Sequence, residues 1–408
     1  MRCRHCSTEL TNTFIDLGSS PPSNSYVSKE ALKEVEQCYP LRVMVCDHCW
    51  LVQTEDFVKV DEMFASDYAY FSSYSTSWLK HAKSYVEQVS SKFYLNSNSM
   101  VVEIAANDGY LLQFINDKNI PCYGIEPTHG TAQAAREKGI EIVEEFFGID
   151  VASRLAKQGR QADLMIANNV LAHVPDINDF VKGFSILLKP NGVATFEFPH
   201  VLNLINNNQF DTIYHEHYSY LSLTAVRNIF EFNGLTVFDV EQIPTHGGSL
   251  RIYAQRSDFG NYKVNTNVID LQRKEDKAGI SGIELYQGFQ EKAEDIKVNF
   301  LSFLIKAKKS GLSVVGYGAA AKGNTLMNFS GVRPDLLAYV VDKSSAKQGK
   351  YMPGSRVPIV DEIQLKKDQP NYVVIFPWNI KNEVIEQLNY IKEWGGKFVI
   401  FIPSMLVI

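Results

Sequence analysis

The sequence predicts a three-part α/β protein, with two doubly wound parallel-sheet domains in one chain behind a small N-terminal zinc-binding domain. Three observations carry this expectation. Apolar strand-like runs alternate with helical stretches in the middle of the chain and again near its end. Two C-x-x-C pairs, Cys3/Cys6 and Cys46/Cys49, stand near the start. The length, 408 residues, exceeds one ordinary domain, and 45% hydrophobic residues leave ample material for several cores.

The first part is expected over residues 1–65. Each C-x-x-C is a tight turn presenting two sulfurs, and two such turns together offer four thiolates to one tetrahedral ion. Cys3, Cys6, Cys46 and Cys49 are therefore the expected ligands of a structural zinc. A redox C-x-x-C belongs in a βαβ setting, and neither pair has one. Four cysteines close the coordination sphere and leave no position for chemistry. His5 and His48 read as loop residues, Cys38 and Cys122 stand apart, and "LRVMVC" reads as strand.

The second part is expected over residues 66–260. "SMVVEIAA", "PCYGIEP", "EIVEEFF", "ADLMIANN" and "GVATFEFP" read as strands, with helices such as "GTAQAAREKG" and "INDFVKGFSILL" between them. The third part, residues 261–408, opens with a charged helical stretch. It continues through "LSVVGYGAAAKGNTLMNF", "LAYVVDKSS", "NYVVIFPWN" and "KFVIFIPS", again strands between helices. No short repeat suggests a solenoid.

Several function classes are disfavoured at this level. No apolar run approaches the roughly 18 residues of a membrane span. The opening "MRCRHCSTEL" lacks the apolar stretch of a secretory signal. A net charge of −6 gives no reason to expect nucleic acid as a partner. A cytoplasmic protein acting on a small molecule is the expectation, in keeping with reduced cysteines.

In doubly wound sheets ligands gather at the carboxyl ends of the strands, where strand order reverses. The first such turn is Ala105-Ala106-Asn107-Asp108-Gly109, after the strand ending near Glu103. Small residues admit a ligand close to the backbone, and Gly109 suits unusual dihedrals. Asp108 and Glu103 disfavour a phosphate and favour a cationic or zwitterionic ligand. Glu126 closes the next strand, where an acid grips ribose hydroxyls. S-adenosylmethionine, a ribose without phosphate carrying an amino-acid tail, matches this set. The second turn, "GYGAAAKGN", fits G-x-G-x-x-A and carries Lys322, so it welcomes anions; Asp342 closes the strand after it. A dinucleotide, a nucleotide diphosphate, or glycines kept only for packing would each account for it.

"DTIYHEHYSY", Asp211 to Tyr220, gathers histidines, tyrosines and a glutamate. It is not the H-E-x-x-H of a zinc protease, because Ser219 occupies the second histidine's place.

In "DYAYFSSYS", "EIAANDGYLL", "NNVLAHVPD", "YHEHYSYLS", "THGGSLRIY" and "GYGAAAKGN", taken in that order with the paired C-x-x-C, the chain resembles the sugar C-methyltransferases of deoxysugar biosynthesis. The resemblance runs over essentially the whole chain. It implies a zinc-binding domain, a Rossmann-like class I methyltransferase domain, and a C-terminal Rossmann-like domain that helps hold a nucleotide sugar. The implied substrate is a dTDP- or GDP-linked 4-keto-6-deoxyhexose methylated at C-3′. The implied cofactor is S-adenosylmethionine, on Glu103, Ala105, Asn107, Gly109, Tyr110, Glu126, Pro127, Asn168 and Asn169. Removing the proton beside a ketone needs a base and donors to the developing oxyanion. Carried over by motif, His217 is the base, with Tyr214 and Glu216 beside it, Glu216 orienting or tuning the imidazole. His173 is a further contact to the sugar, as is one of Tyr68 and Tyr70. His215 is expected to be structural or a mere contact. His200, His246 and Arg251 are candidates for the pocket wall, with structural roles equally open. The competing readings are an O- or N-methyltransferase of another small molecule, an NAD-dependent oxidoreductase using the second turn, and a zinc-ribbon binding module.

Overall fold

The structure, a computed structural model, describes residues 1–57 and 71–408. Tyr68 and Tyr70 lie outside the described residues. The chain begins with three antiparallel strands, β1 (Asn12–Ser20), β2 (Tyr39–Val45) and β3 (Val52–Thr54). Their alternating buried residues, such as Ile15, Val43 and Val45, face a core shared with the C-terminal part of the chain.

The central sheet carries the parallel strands β4 (Val101–Ile104), β5 (Cys122–Ile125), β6 (Ile142–Val143), β7 (Ala162–Asn168) and β8 (Leu188–Pro199). After β8 the chain turns back, and β9 (Ser219–Tyr220) pairs with β3 as the fourth strand of the N-terminal sheet. A hairpin of β10 (Leu235–Ile243) and β11 (Ser249–Arg256) completes the central sheet, with β11 antiparallel to β8. The order is β10-β11-β8-β7-β4-β5-β6. Strand order therefore reverses at β4, and the crevice at the carboxyl ends of β4 and β7 is where a ligand is expected. "EIVEEFF" supplies only the two residues of β6, at the sheet edge.

The helix Thr76–Lys92 covers this sheet. Ser75 caps it by accepting the N–H of Trp78 at 3.2 Å. Ala82, Tyr85, Val86 and Val89 form its buried face, one turn apart, so Trp78 and His81 are held over the ends of the strands.

The charged stretch folds as the helices Thr266–Ala278 and Phe289–Lys309. A second parallel sheet follows, from β12 (Val314–Tyr317), β13 (Val340–Val341), β14 (Ile359–Val360), β15 (Tyr372–Ile375) and β16 (Lys397–Ile400), edged by antiparallel β17 (Leu406–Val407). Its order is β14-β13-β12-β15-β16-β17. The α/β character expected of both larger parts is what the structure shows. No helix of the described residues is long and apolar enough to cross a membrane.

Candidate active site

A cavity of about 400 Å³ opens at the carboxyl ends of β4, β5 and β7 and extends to the C-terminal part of the chain. Its first wall is the turn after β4. Ala105 and Asn107 there have φ of 57° and 50°, the left-handed region, which side chains with a Cβ enter only against strain. Gly109 has φ of 72°, and a Cβ on it would stand 2.4 Å from the Ile140 side chain. The glycine thus lets the turn lie flat on its neighbours, but it does not itself line the cavity.

Glu126 holds the turn in place. Its carboxylate accepts the N–H of Asn107 at 2.9 Å and that of Thr128 at 3.0 Å. Burial raises its pKa, and those two N–H donors oppose the shift. Glu126 and Pro127 line the cavity with Ala105, Asn107, Tyr110, Asn168 and Asn169. The side-chain amide of Asn168 is buried with no hydrogen-bond partner among the described residues, a donor and acceptor open to a ligand. Glu103 does not line the cavity. It lies buried next to Asp108 and Glu126, and burial pushes its carboxyl well above the usual range. Its role is underneath the turn.

Trp78, Phe146, Phe147 and Phe180 add an aromatic wall that sequence reading missed. "EIVEEFF" reads as strand in the sequence, but the strand ends at Val143 and leaves both phenylalanines to the cavity wall.

The second wall is the loop before β9. The Nδ1–H of His217 donates to the carbonyl of Thr212 at 2.8 Å. A carbonyl can only accept, so Nδ1 carries the proton and Nε2 keeps its lone pair. Burial holds the imidazole well below its ordinary pKa, with the nearby His173 adding to the effect. The rings of His173 and Tyr214 lie 4.7 Å and 4.0 Å from that of His217. The Tyr218 N–H donates to the carbonyl of Ala172 at 2.8 Å, which ties the two histidine segments together. Burial holds His173 and His246 near pKa 4, so both are neutral at pH 7.

Glu216 departs from expectation. Its carboxylate accepts the Asn24 amide at 3.1 Å, whereas the Thr212 carbonyl orients His217. Glu216 anchors the N-terminal domain against the cavity instead. His200 is also corrected, because it is fully buried against Glu275 at 2.7 Å and lines nothing. Arg251 sits beneath the floor, pairing with Glu197 at 2.6 Å and Glu241 at 3.1 Å. His215 faces the carbonyls of Tyr39 and Pro40 and is structural. His246 does reach the cavity wall.

The third wall comes from the second glycine turn through Ala320, Ala321 and Lys322, joined by Lys347 from the segment after β13. Cβ atoms on Gly316, Gly318 and Gly323 would stand 2.5–2.7 Å from Phe376 or Pro377, so close packing demands these glycines. Asp342, at the position that would grip a dinucleotide ribose, accepts the N–H of Ala319 at 2.8 Å.

Outside the cavity lining, the sulfurs of Cys3, Cys6, Cys46 and Cys49 all lie within 4.8 Å of one another. Cys3–Cys49 and Cys6–Cys46 are each 3.5 Å apart. Zinc–sulfur bonds of about 2.3 Å in a tetrahedron separate sulfurs by roughly 3.8 Å. The four thiols fit that ion.

Comparison with known proteins agrees with this geometry. A "Putative zinc binding domain" family matches residues 3–64, a "Methyltransferase domain" family residues 78–240, and a "C-methyltransferase C-terminal domain" family residues 244–403. The chain is 31% identical over 406 residues to the C-methyltransferase NovU of Streptomyces niveus, covering 100% of this chain and 96% of that protein. The chain belongs to the C-methyltransferases. It is an S-adenosylmethionine-dependent enzyme, and its four-cysteine cluster lies within the matched zinc-binding domain. Among solved structures it is similar to the PH0226 protein of Pyrococcus horikoshii OT3, at 14% identity and TM-score 0.39 over 49% of this chain and 100% of that one. It is also similar to magnesium protoporphyrin IX methyltransferase of Synechocystis with bound SAH, at 16% identity and TM-score 0.36 over 44% of this chain and 83% of that one. At such scores neither likeness decides anything further.

Proposed function

We propose that this C-methyltransferase methylates C-3′ of a nucleotide-linked 4-keto-6-deoxyhexose, with His217 as the base. The observation that carries the reading is the His217 imidazole, whose protonated Nδ1 is fixed on the Thr212 carbonyl and whose ring lines the cavity. A carbon acid beside a ketone needs such a base, and the likeness to the C-methyltransferase NovU favours carbon over oxygen or nitrogen as the acceptor. The neighbouring polar groups, Tyr214, His173 and His246, suit a sugar held by its oxygens.

Nε2 takes the proton on the carbon beside the ketone, and the C–H electron pair moves to form the enolate. When bound, S-adenosylmethionine would supply the electrophilic methyl for this carbon, its S–CH3 bond breaking to leave S-adenosylhomocysteine. The proton then leaves His217 for solvent, restoring the base. The cofactor's place is the wall formed by Ala105, Asn107, Tyr110, Glu126, Pro127, Asn168 and Asn169, and the zinc's place is the four-cysteine cluster. Whether dTDP or GDP carries the sugar is a matter for assay. Incubating the enzyme with either sugar in deuterium oxide, without methyl donor, tests the reading. Deuterium should enter C-3′; methylation of an oxygen with no exchange would refute it.

A further inference from the structure

We propose that Lys322 is a catalytic residue, its ammonium stabilising the oxyanion that forms on the ketone oxygen as His217 removes the adjacent proton. This rests on the enolate reading above and extends it to a residue of the C-terminal domain.

Lys322 stands in the first turn of the helix Ala321–Ser330 and lines the same cavity as His217, His173 and His246. Among the described residues no hydrogen bond or ion pair to its ammonium is found, and its nearest characterised partner is the Trp378 ring at 5.7 Å. Asp211, the acid whose charge acts on it, accepts the Trp378 indole N–H with one carboxylate oxygen at 2.8 Å. Lys347, the cavity's other lysine, is engaged, donating to the Ala319 carbonyl at 2.8 Å. Among the described residues, Lys322 is therefore the cavity-lining lysine whose ammonium has no hydrogen-bonding or ion-pair partner. Ala320 and Ala321, at the positive end of the same helix, line the wall beside it.

A cation and a base that line one cavity resist further positive charge there. The Lys322 charge depresses the proton affinity of His217 and His246 alike. When His217 accepts a proton, two positive groups face each other across a poorly solvated space. The arrangement becomes favourable only if negative charge appears between them in the same step. Enolisation supplies that charge, because the carbonyl π electrons move onto oxygen as the C–H pair becomes the new C=C bond. The ammonium keeps its proton throughout, and the carbonyl reforms when the carbon takes the methyl. Stabilisation of this kind appears in the transition state rather than on binding, which is where it accelerates the reaction.

The test uses Lys322→Met and Lys322→Arg in the full-length enzyme with a 4-keto-6-deoxy nucleotide sugar. Solvent exchange at C-3′ without methyl donor is measured alongside substrate affinity by calorimetry. Lys322→Met should slow exchange and methylation by roughly 10²–10³-fold with sugar affinity nearly unchanged, and Lys322→Arg should recover part of the loss. The acid limb of the exchange profile should move to higher pH in Lys322→Met, because His217 loses a repelling neighbour. Weakened sugar binding with unchanged exchange at saturation would overturn the proposal and make Lys322 an anchor for the diphosphate. Exchange at the wild-type rate would overturn it outright. Wild-type enzyme that neither exchanges nor methylates any such sugar would instead sink the functional reading, and this proposal with it.

Discussion

Replacing His217 by asparagine should separate chemistry from folding. The asparagine amide can donate to the Thr212 carbonyl much as Nδ1–H does at 2.8 Å, but it offers no basic lone pair. General-base catalysis contributes about 10²–10⁴-fold, equivalent to about 2.7–5.4 kcal/mol of barrier at 1.36 kcal/mol per decade. Turnover and C-3′ exchange should both fall by that factor. His217→Ala should lose the same activity and also leave the Thr212 carbonyl without its donor, at a further cost of about 1–3 kcal/mol in stability. Denaturant titration should accordingly rank Ala below Asn. Affinity for S-adenosylmethionine should survive in both, since Glu126 and Asn168 stand on other strands. Proton nuclear magnetic resonance in deuterium oxide, without methyl donor, isolates proton removal. An Asn variant that exchanges C-3′ as fast as wild type would refute the assignment and direct attention to His173, with the Tyr214 phenolate after it.

The remaining expectations are narrower. Exchange depends on neutral His217, whose pKa burial holds below 6.5, so activity should persist down to that pH and fall only beneath it; an acid limb above 7 would contradict the buried setting. Glu126→Ala should weaken S-adenosylmethionine binding by about 1.5–3 kcal/mol, the worth of a charged hydrogen-bond pair, and unchanged calorimetric affinity would move the cofactor elsewhere. Elemental analysis should find one zinc per chain, and chelation should lower thermal stability before it lowers the rate constant of the enzyme still folded. Metal-free protein of full stability would exclude a structural ion.

Much of this was legible in the sequence because it is local. The C-x-x-C turns, the turn from Ala105 to Gly109, and Glu126 at the next strand end each lie within a few residues of the element that positions them. What escaped was non-local. One exception lies close by: the Thr212 carbonyl, five residues back in the same loop, fixes the His217 tautomer in place of the adjacent Glu216. Glu216 reaches Asn24, 192 positions away. The glycines of "GYGAAAKGN" read equally well as a ligand cradle or as packing, and the rings of Phe376 and Pro377, far along the chain, favour packing. His200 and Arg251 resembled wall residues until their acidic partners, Glu275 and Glu197, came into view.

The loop carrying His217 is stitched to all three parts of the chain. Thr54 of the N-terminal sheet gives its hydroxyl to the His217 carbonyl at 3.2 Å, and Thr325 of the C-terminal part gives its own to the Ile213 carbonyl at 2.8 Å. Anyone hoping to recombine modules between relatives, grafting one enzyme's sugar-holding end onto another's methyl-transferring middle, meets a seam running through the base itself. A working chimera has to carry residues 212–220 together with their threonine partners, as one inherited unit. The natural cut points lie elsewhere, in segments that bear no hydrogen bond to that loop.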